Sequence, residues 1–147
     1  TVLGGAMTIA LPRSELVEIH AHARETYPEE SCGFLIGTQD LRRVVVQARR
    51  AANVRSDDRR TRYTIDPRET LRLDRELRGT EREIVGFYHS HPDVPAVPSA
   101  FDMDHAWPGY AYVIVSVSHR EPKDVHAWIL VETETERSFM EEAIELV

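Results

Sequence analysis

The 147 residues carry 41% hydrophobic and 29% charged side chains, an ordinary globular balance that excludes a disordered or fibrous chain and suffices for one well-filled core. With 18 basic against 25 acidic side chains the net charge is −7, which argues against general affinity for nucleic acid, and the single cysteine, Cys32, excludes a disulfide framework. No apolar run approaches the roughly 18 residues of a membrane span and no basic-then-apolar segment opens the chain, so no membrane partner and a cytoplasmic location are expected.

Met7 followed by Thr8-Ile9-Ala10-Leu11-Pro12 reads as a natural start. Residues 7–147 are then expected to form a single domain, with Thr1-Val2-Leu3-Gly4-Gly5-Ala6 ahead of it as a cloning remnant or a fused tail. Leu16, Ile19 and Ala23 fall at helical spacing, and Pro12 suits a first helical position, so a helix is expected from Pro12 to about Thr26. Cys32 to Ile36 is a short apolar run ended by Gly37 and reads as a buried strand. Leu41 to Ala48 and Arg62 to Ile65 read as further strands. Asp66-Pro67 is a cap followed by a first-turn proline, which predicts a helix over about 67–78 closed by Gly79.

Glu83 to His89 reads as a strand, and His91 to Pro98, with three prolines, as a loop. Ser99 is placed to cap a short helix running to about Ala106. Tyr110 to Val117 and Val125 to Val131 are rich in β-formers, while the last residues suit strand or helix. The expected class is α+β, a sandwich in which a mixed sheet is flanked by two longer helices. Charge is uneven along this order. Residues 42–82 hold 13 arginines against 7 acids, whereas 121–147 hold 8 acids against 2 bases. Both stretches read first as solvated faces, and the basic one second as a dock for an acidic protein.

The residues that point to chemistry are His89-Ser90-His91, then seven residues, then Ser99 and Asp102. Side chains at i and i+2 of a strand share a face, so His89 and His91 can grip one ion from a strand end. A seven-residue loop is long enough to turn back, and a helix begun at Ser99 presents Asp102 from its first turn. Two imidazoles and one carboxylate leave a fourth position for water, the arrangement of a catalytic rather than a structural zinc site. One zinc per chain is expected. Asp93 and Asp104 are nearby acids that fit the spacing less well. The attacking water needs a base, and Glu30, just ahead of the Cys32–Ile36 strand, is the candidate. The Ser99 hydroxyl is placed to stabilise an oxyanion.

Each of these residues alone has a blander reading. His20-Ala21-His22 shows the point, since neighbours two apart on a helix are about 200° apart and cannot share an ion. Ser99 alone is an N-cap, and Glu29 or Glu30 alone a solvated loop residue. Taken together, His89-Ser90-His91-x7-Ser99-x2-Asp102 resembles the signature of the JAMM (MPN+) metalloproteases. Pro28-Glu29-Glu30-Ser31-Cys32-Gly33-Phe34-Leu35-Ile36-Gly37 resembles the glutamate segment of the same family, whose glutamate stands three residues before a glycine, which selects Glu30 over Glu29. The resemblance implies a cytidine-deaminase-like fold, although the Pro-Cys-x-x-Cys pair of the deaminases is missing. It implies His89, His91 and Asp102 as zinc ligands, Glu30 as general acid/base and Ser99 as oxyanion donor.

Members of this family cut peptide or isopeptide bonds after the Gly-Gly tail of ubiquitin-like proteins. The short chain is similar to the compact prokaryotic branch, which implies a ubiquitin-like or sulfur-carrier protein as partner. In that light Leu3-Gly4-Gly5 resembles such a tail. Two rival readings remain at this point: a zinc-containing MPN module that binds without catalysis, and a cysteine peptidase using Cys32 with His89.

Overall fold

The computed structural model describes residues 8–147, so the readings of residues 1–6 as a remnant or tail and of Met7 as a start lie outside the described residues. In chain order the elements are β1 (Ile9–Leu11), α1 (Arg13–Thr26), β2 (Cys32–Gln39), β3 (Arg43–Ala51), α2 (Pro67–Leu77), β4 (Glu83–Pro92), α3 (Ala100–His105), β5 (Ala111–Ser118), β6 (Glu121–Glu132), β7 (Arg137–Glu142) and β8 (Ile144–Leu146). Among the described residues the strands form one mixed sheet in the order β7-β6-β5-β4-β2-β3-β1-β8. Pairs β4–β5, β1–β3 and β1–β8 are parallel, and the others antiparallel.

The two edges of the sheet, β7 and β8, are separated in sequence by Ala143 alone, so the sheet must curl until its edges nearly meet. The Ile9 N–H donates to the Ala143 carbonyl at 2.9 Å across this seam. A buried ion pair between Arg43 on β3 and Glu142 on β7 crosses it too, with side chains only 5% and 0% exposed. Burial raises the Glu142 carboxyl, and the hydrogen bond from Arg43 opposes that rise.

Helices cover both faces. Pro12 fixes the backbone just ahead of α1, whose Ile19 and Ala23 pack with Ile9, Leu35, Val85, Val113 and Val115 on one face. On the other face α2 brings Leu73 onto Cys32, Phe34 and Ile84, and α3 closes over Tyr112 and Phe87. Asp66 caps α2 by accepting from the Arg68 N–H, with Pro67 in the first turn, and Gly79 follows the helix at φ +84°. A bulge between Leu35 and Ile36 lets both Ile84 and Phe87 face α2. Gly86 is needed where β4 meets β5, because a Cβ there would stand 2.2 Å from the Ala111 carbonyl oxygen.

The mixed sheet with flanking helices is the expected class. Two local expectations are corrected, and two points left open are filled in. Residues 62–65 form no strand but an irregular segment tied by the Val54 N–H to the Thr64 carbonyl at 2.9 Å. β4 runs on to Pro92, into the expected loop, because β5 pairs with it in parallel as far as Pro92 opposite Val117. The missing N–H of Pro92 is tolerated at this last strand position. Ile9–Leu11 is a strand that no pattern of alternation announced, and the C-terminal residues are strands that complete the seam.

Candidate active site

Strand β4 lies between β2 and β5, with Cys32 opposite His89 and Ile114 on its other side. By strand alternation His89 and His91 share the face of Phe87, the face that α2 and α3 cover. After Pro92 the chain is turned back by two bonds to its carbonyls: His91 Nδ1 meets the Pro95 oxygen at 2.8 Å, and Trp128 Nε1 donates to that of Ala96 at 3.1 Å. Ser99 then caps α3 in a reciprocal box, its Oγ accepting from the Asp102 N–H at 3.1 Å while Asp102 Oδ2 accepts from the Ser99 N–H at 2.9 Å.

The cap delivers Asp102 to the histidines. His89 Nε2 and His91 Nε2 lie 3.2 Å apart, and Asp102 Oδ2 stands 3.3 Å from the first and 3.1 Å from the second. All three side chains are buried. The bond to Pro95 places a proton on His91 Nδ1, so a neutral His91 turns a lone pair at Nε2 toward the Asp102 oxygen. Three electron-rich atoms converging at these distances suit a shared cation. Tetrahedral zinc with ligands at about 2.0–2.1 Å requires ligand–ligand separations of roughly 3.3 Å, close to the triangle formed here. The donor set therefore fits one divalent ion with an open position.

The electrostatics agree with the geometry. Burial works to raise the Asp102 carboxyl, but the adjoining His89 and His91 rings and the hydrogen bond from the Ser99 N–H hold it well below the usual carboxylate range. Burial lowers the His89 imidazole, against the pull of Asp102. Tyr63 stacks on the His89 ring, with centroids 4.5 Å apart.

Glu30 reaches the same face through the β2–β4 register. Cys32 pairs with His89, and two residues back along an antiparallel ladder Glu30 falls opposite His91. Ser31 holds that register, its N–H donating to Ser90 Oγ at 2.8 Å and its carbonyl accepting from the Ser90 N–H at 3.1 Å. The Glu30 N–H donates to the Arg59 carbonyl at 2.7 Å. Its side chain is 3% exposed, and Oε1 has no hydrogen-bond partner among the described residues. Burial, reinforced by the Asp102 charge, pushes its carboxyl up to about 9. Glu29 is exposed instead.

The remaining candidates fall away from the cluster. Cys32 is buried and its thiol is pushed up to about 12, first by burial and then by the charges of Glu69 and Glu30, the opposite of an activated nucleophile. His22 is engaged with the Tyr88 hydroxyl at 2.7 Å, and Asp104 is exposed. Asp93 receives the Tyr27 hydroxyl and the His119 N–H.

Beside the cluster opens a cleft of about 590 Å³ between α2 and α3, lined by Asp102 and by Tyr63, Leu71, Phe87, Phe101 and Trp107. Sequence reasoning missed this surface. Leu71 and Trp107, 47% and 68% exposed, mark it in the fold, and no pattern in the sequence separates them from buried apolar residues. The guanidinium groups of Arg55 and Arg62 lie 5.1 and 4.8 Å from the Phe101 ring centroid and tie the irregular 53–65 segment to α3.

Comparison with known proteins adds kinship to the geometry. The model of a family described as prokaryotic homologs of the JAB domain matches residues 12–131. The chain is 41% identical over 115 residues to the desampylase of Haloferax volcanii, covering 75% of this chain and 80% of that protein. It is 29% identical over 130 residues to the CysO-cysteine peptidase of Mycobacterium tuberculosis, covering 87% of each. A Desulfitobacterium hafniense protein solved in solution superposes with a TM-score of 0.79 at 31% identity, over 95% of this chain and 93% of that one.

Proposed function

The chain belongs to the prokaryotic homologs of the JAB domain, and from that premise we propose that it is a JAMM-type zinc peptidase cutting the bond after the Gly-Gly end of a ubiquitin-like or sulfur-carrier protein. The observation that carries this reading is the buried Glu30 carboxyl, unpartnered at Oε1, on the same sheet face as the His89–His91–Asp102 triangle. A desolvated carboxyl beside a candidate metal site is the placement that general acid–base chemistry needs.

In this reading His89, His91 and Asp102 hold one zinc ion. When bound, the ion supplies Lewis acidity to water and to the scissile carbonyl. A cation beside Glu30 also favours its ionised form against the burial that raises it. Glu30 takes the proton of the attacking water and hands it to the leaving amine. The Ser99 hydroxyl accepts from the Asp102 N–H, so its own proton is free to be donated to the oxyanion.

The cleft between α2 and α3 suits an extended tail, with Leu71, Phe101 and Trp107 for its apolar residues and Asp102 at its lining for the end that carries the two glycines. The name of the CysO-cysteine peptidase relative favours a carrier bearing a small C-terminal addition. Residues 7–147 act as one cytidine-deaminase-like domain in the cytoplasm. No helix among the described residues is long and apolar enough to cross a membrane. The test is incubation with Gly-Gly carriers bearing C-terminal extensions, read by mass spectrometry. Release of the extension after Gly-Gly, stopped by chelation, is expected, and intact carriers throughout would refute the reading.

A further inference from the structure

We propose that Tyr27 and Asp93 form a clasp that sets where Glu30 stands beside the metal site, making both positioning residues for the reaction. The inference rests on the reading of Glu30 as base. Tyr27 closes α1 three residues before Glu30, and Asp93 follows β4 two residues after His91. The Tyr27 hydroxyl donates to Asp93 Oδ2 at 2.7 Å. The other carboxylate oxygen accepts from the His119 N–H at 3.1 Å, and the Asp93 N–H donates to the Val117 carbonyl at 2.6 Å. One side chain thus joins the segment of the base, the end of the ligand strand and the β5–β6 turn.

The local chain is built to hold this carboxylate. Asp93 sits at φ +59°, a left-handed conformation that aspartate and asparagine tolerate better than most residues. Arg120 lies over the Tyr27 ring, 5.6 Å from its centroid, and donates to the Arg24 carbonyl at 3.0 Å. Thr26 and Glu29 are bonded to each other, the Glu29 N–H to the Thr26 carbonyl at 2.8 Å and Thr26 Oγ1 to the Glu29 carbonyl at 3.0 Å. The 26–29 turn therefore moves as a unit with Tyr27. Beyond Glu30 the Ser31–Ser90 bonds make a second, inner tie. Glu30, its own N–H held by the Arg59 carbonyl and its carbonyl by Asn53 Nδ2, lies between the two, and a loosened outer tie lets its carboxyl shift relative to His91.

The test uses the zinc-loaded full chain and a Gly-Gly carrier with a C-terminal extension. Tyr27→Phe, which removes only the hydroxyl, should lower kcat roughly 3- to 10-fold, the size of one modest hydrogen bond, with KM and zinc content within about twofold. Asp93→Gly keeps the left-handed backbone without the carboxylate and should do the same, and the double variant should lose no more than either alone. Asp93→Asn, which retains an acceptor and the conformation, should restore most of the rate. Amide exchange supplies a readout independent of turnover: the Glu30 N–H, bonded to Arg59, should exchange severalfold faster in Tyr27→Phe while that of His89 is unchanged. Unchanged kcat and exchange in Tyr27→Phe, even with a lowered Tm, or strictly additive losses, would overturn the clasp. Full activity in Glu30→Gln would instead overturn the base, and the two failures are told apart by that variant.

Discussion

His91 Nδ1 stands 2.8 Å from the Pro95 carbonyl oxygen, and that one contact decides which nitrogen of the ring faces Asp102. With the proton on Nδ1, Nε2 is left as a ligand 3.1 Å from a carboxylate oxygen. One zinc per chain is therefore expected, measured by elemental analysis of the purified protein. Chelation should abolish hydrolysis and lower the Tm, and added zinc should restore both. Asp102→Asn should weaken zinc binding; undiminished zinc content in that variant would rule the carboxylate out as a ligand.

Glu30→Gln should leave zinc bound and lower kcat by roughly 10²–10⁴, the usual loss with a general base. Glu29→Gln, on an exposed side chain, should change little. Equal behaviour of the two variants would remove the support for Glu30.

The metal-free chain should also report on Glu30 through pH. Its carboxyl is raised in the fold from 4.5 to about 9, so the folded state favours the protonated form. The stability this contributes is complete below about pH 4.5 and is lost as pH rises toward about 9. Urea unfolding of zinc-free protein across this window should show wild type losing stability relative to Glu30→Gln. Parallel curves would mean that the carboxyl is ionised in the fold without cost.

Ser99→Ala should act twice. Loss of the reciprocal cap costs about 1 kcal/mol of stability. Loss of the hydroxyl donor should lower kcat by roughly 10²–10³, with KM much less affected. A fall in Tm at unchanged kcat would reduce Ser99 to a cap.

Leu71→Asp, at a side chain 47% exposed in the cleft, should raise KM for a carrier severalfold while sparing zinc content and folding. Unchanged KM would move the tail elsewhere.

Glu142→Ala should destabilise by about 3–5 kcal/mol, because it leaves the buried Arg43 charge without its partner at the seam. Arg43→Met with Glu142→Leu should recover much of that loss, and chemical denaturation distinguishes the single from the paired change.

The His89–His91–Asp102 triangle was legible in the sequence because every relation within it is short-range. Two-residue alternation puts His89 and His91 on one face, and a capped first turn aims Asp102, so local geometry over a few residues suffices. The helices Arg13–Thr26 and Pro67–Leu77 were legible for the same reason, through apolar spacing and the Asp66-Pro67 cap. The irregular course of 62–65, the strand at Ile9–Leu11 and the aromatic cleft were not. Apolar content alone does not separate a strand from a packed coil, and three residues show no period. Its place just ahead of the Cys32–Ile36 strand made Glu30 the candidate, and resemblance to known sequences selected it over Glu29. Only the tertiary structure decides between the two by burial, because a single-residue shift in the pairing of β2 with β4 would turn the other carboxylate inward.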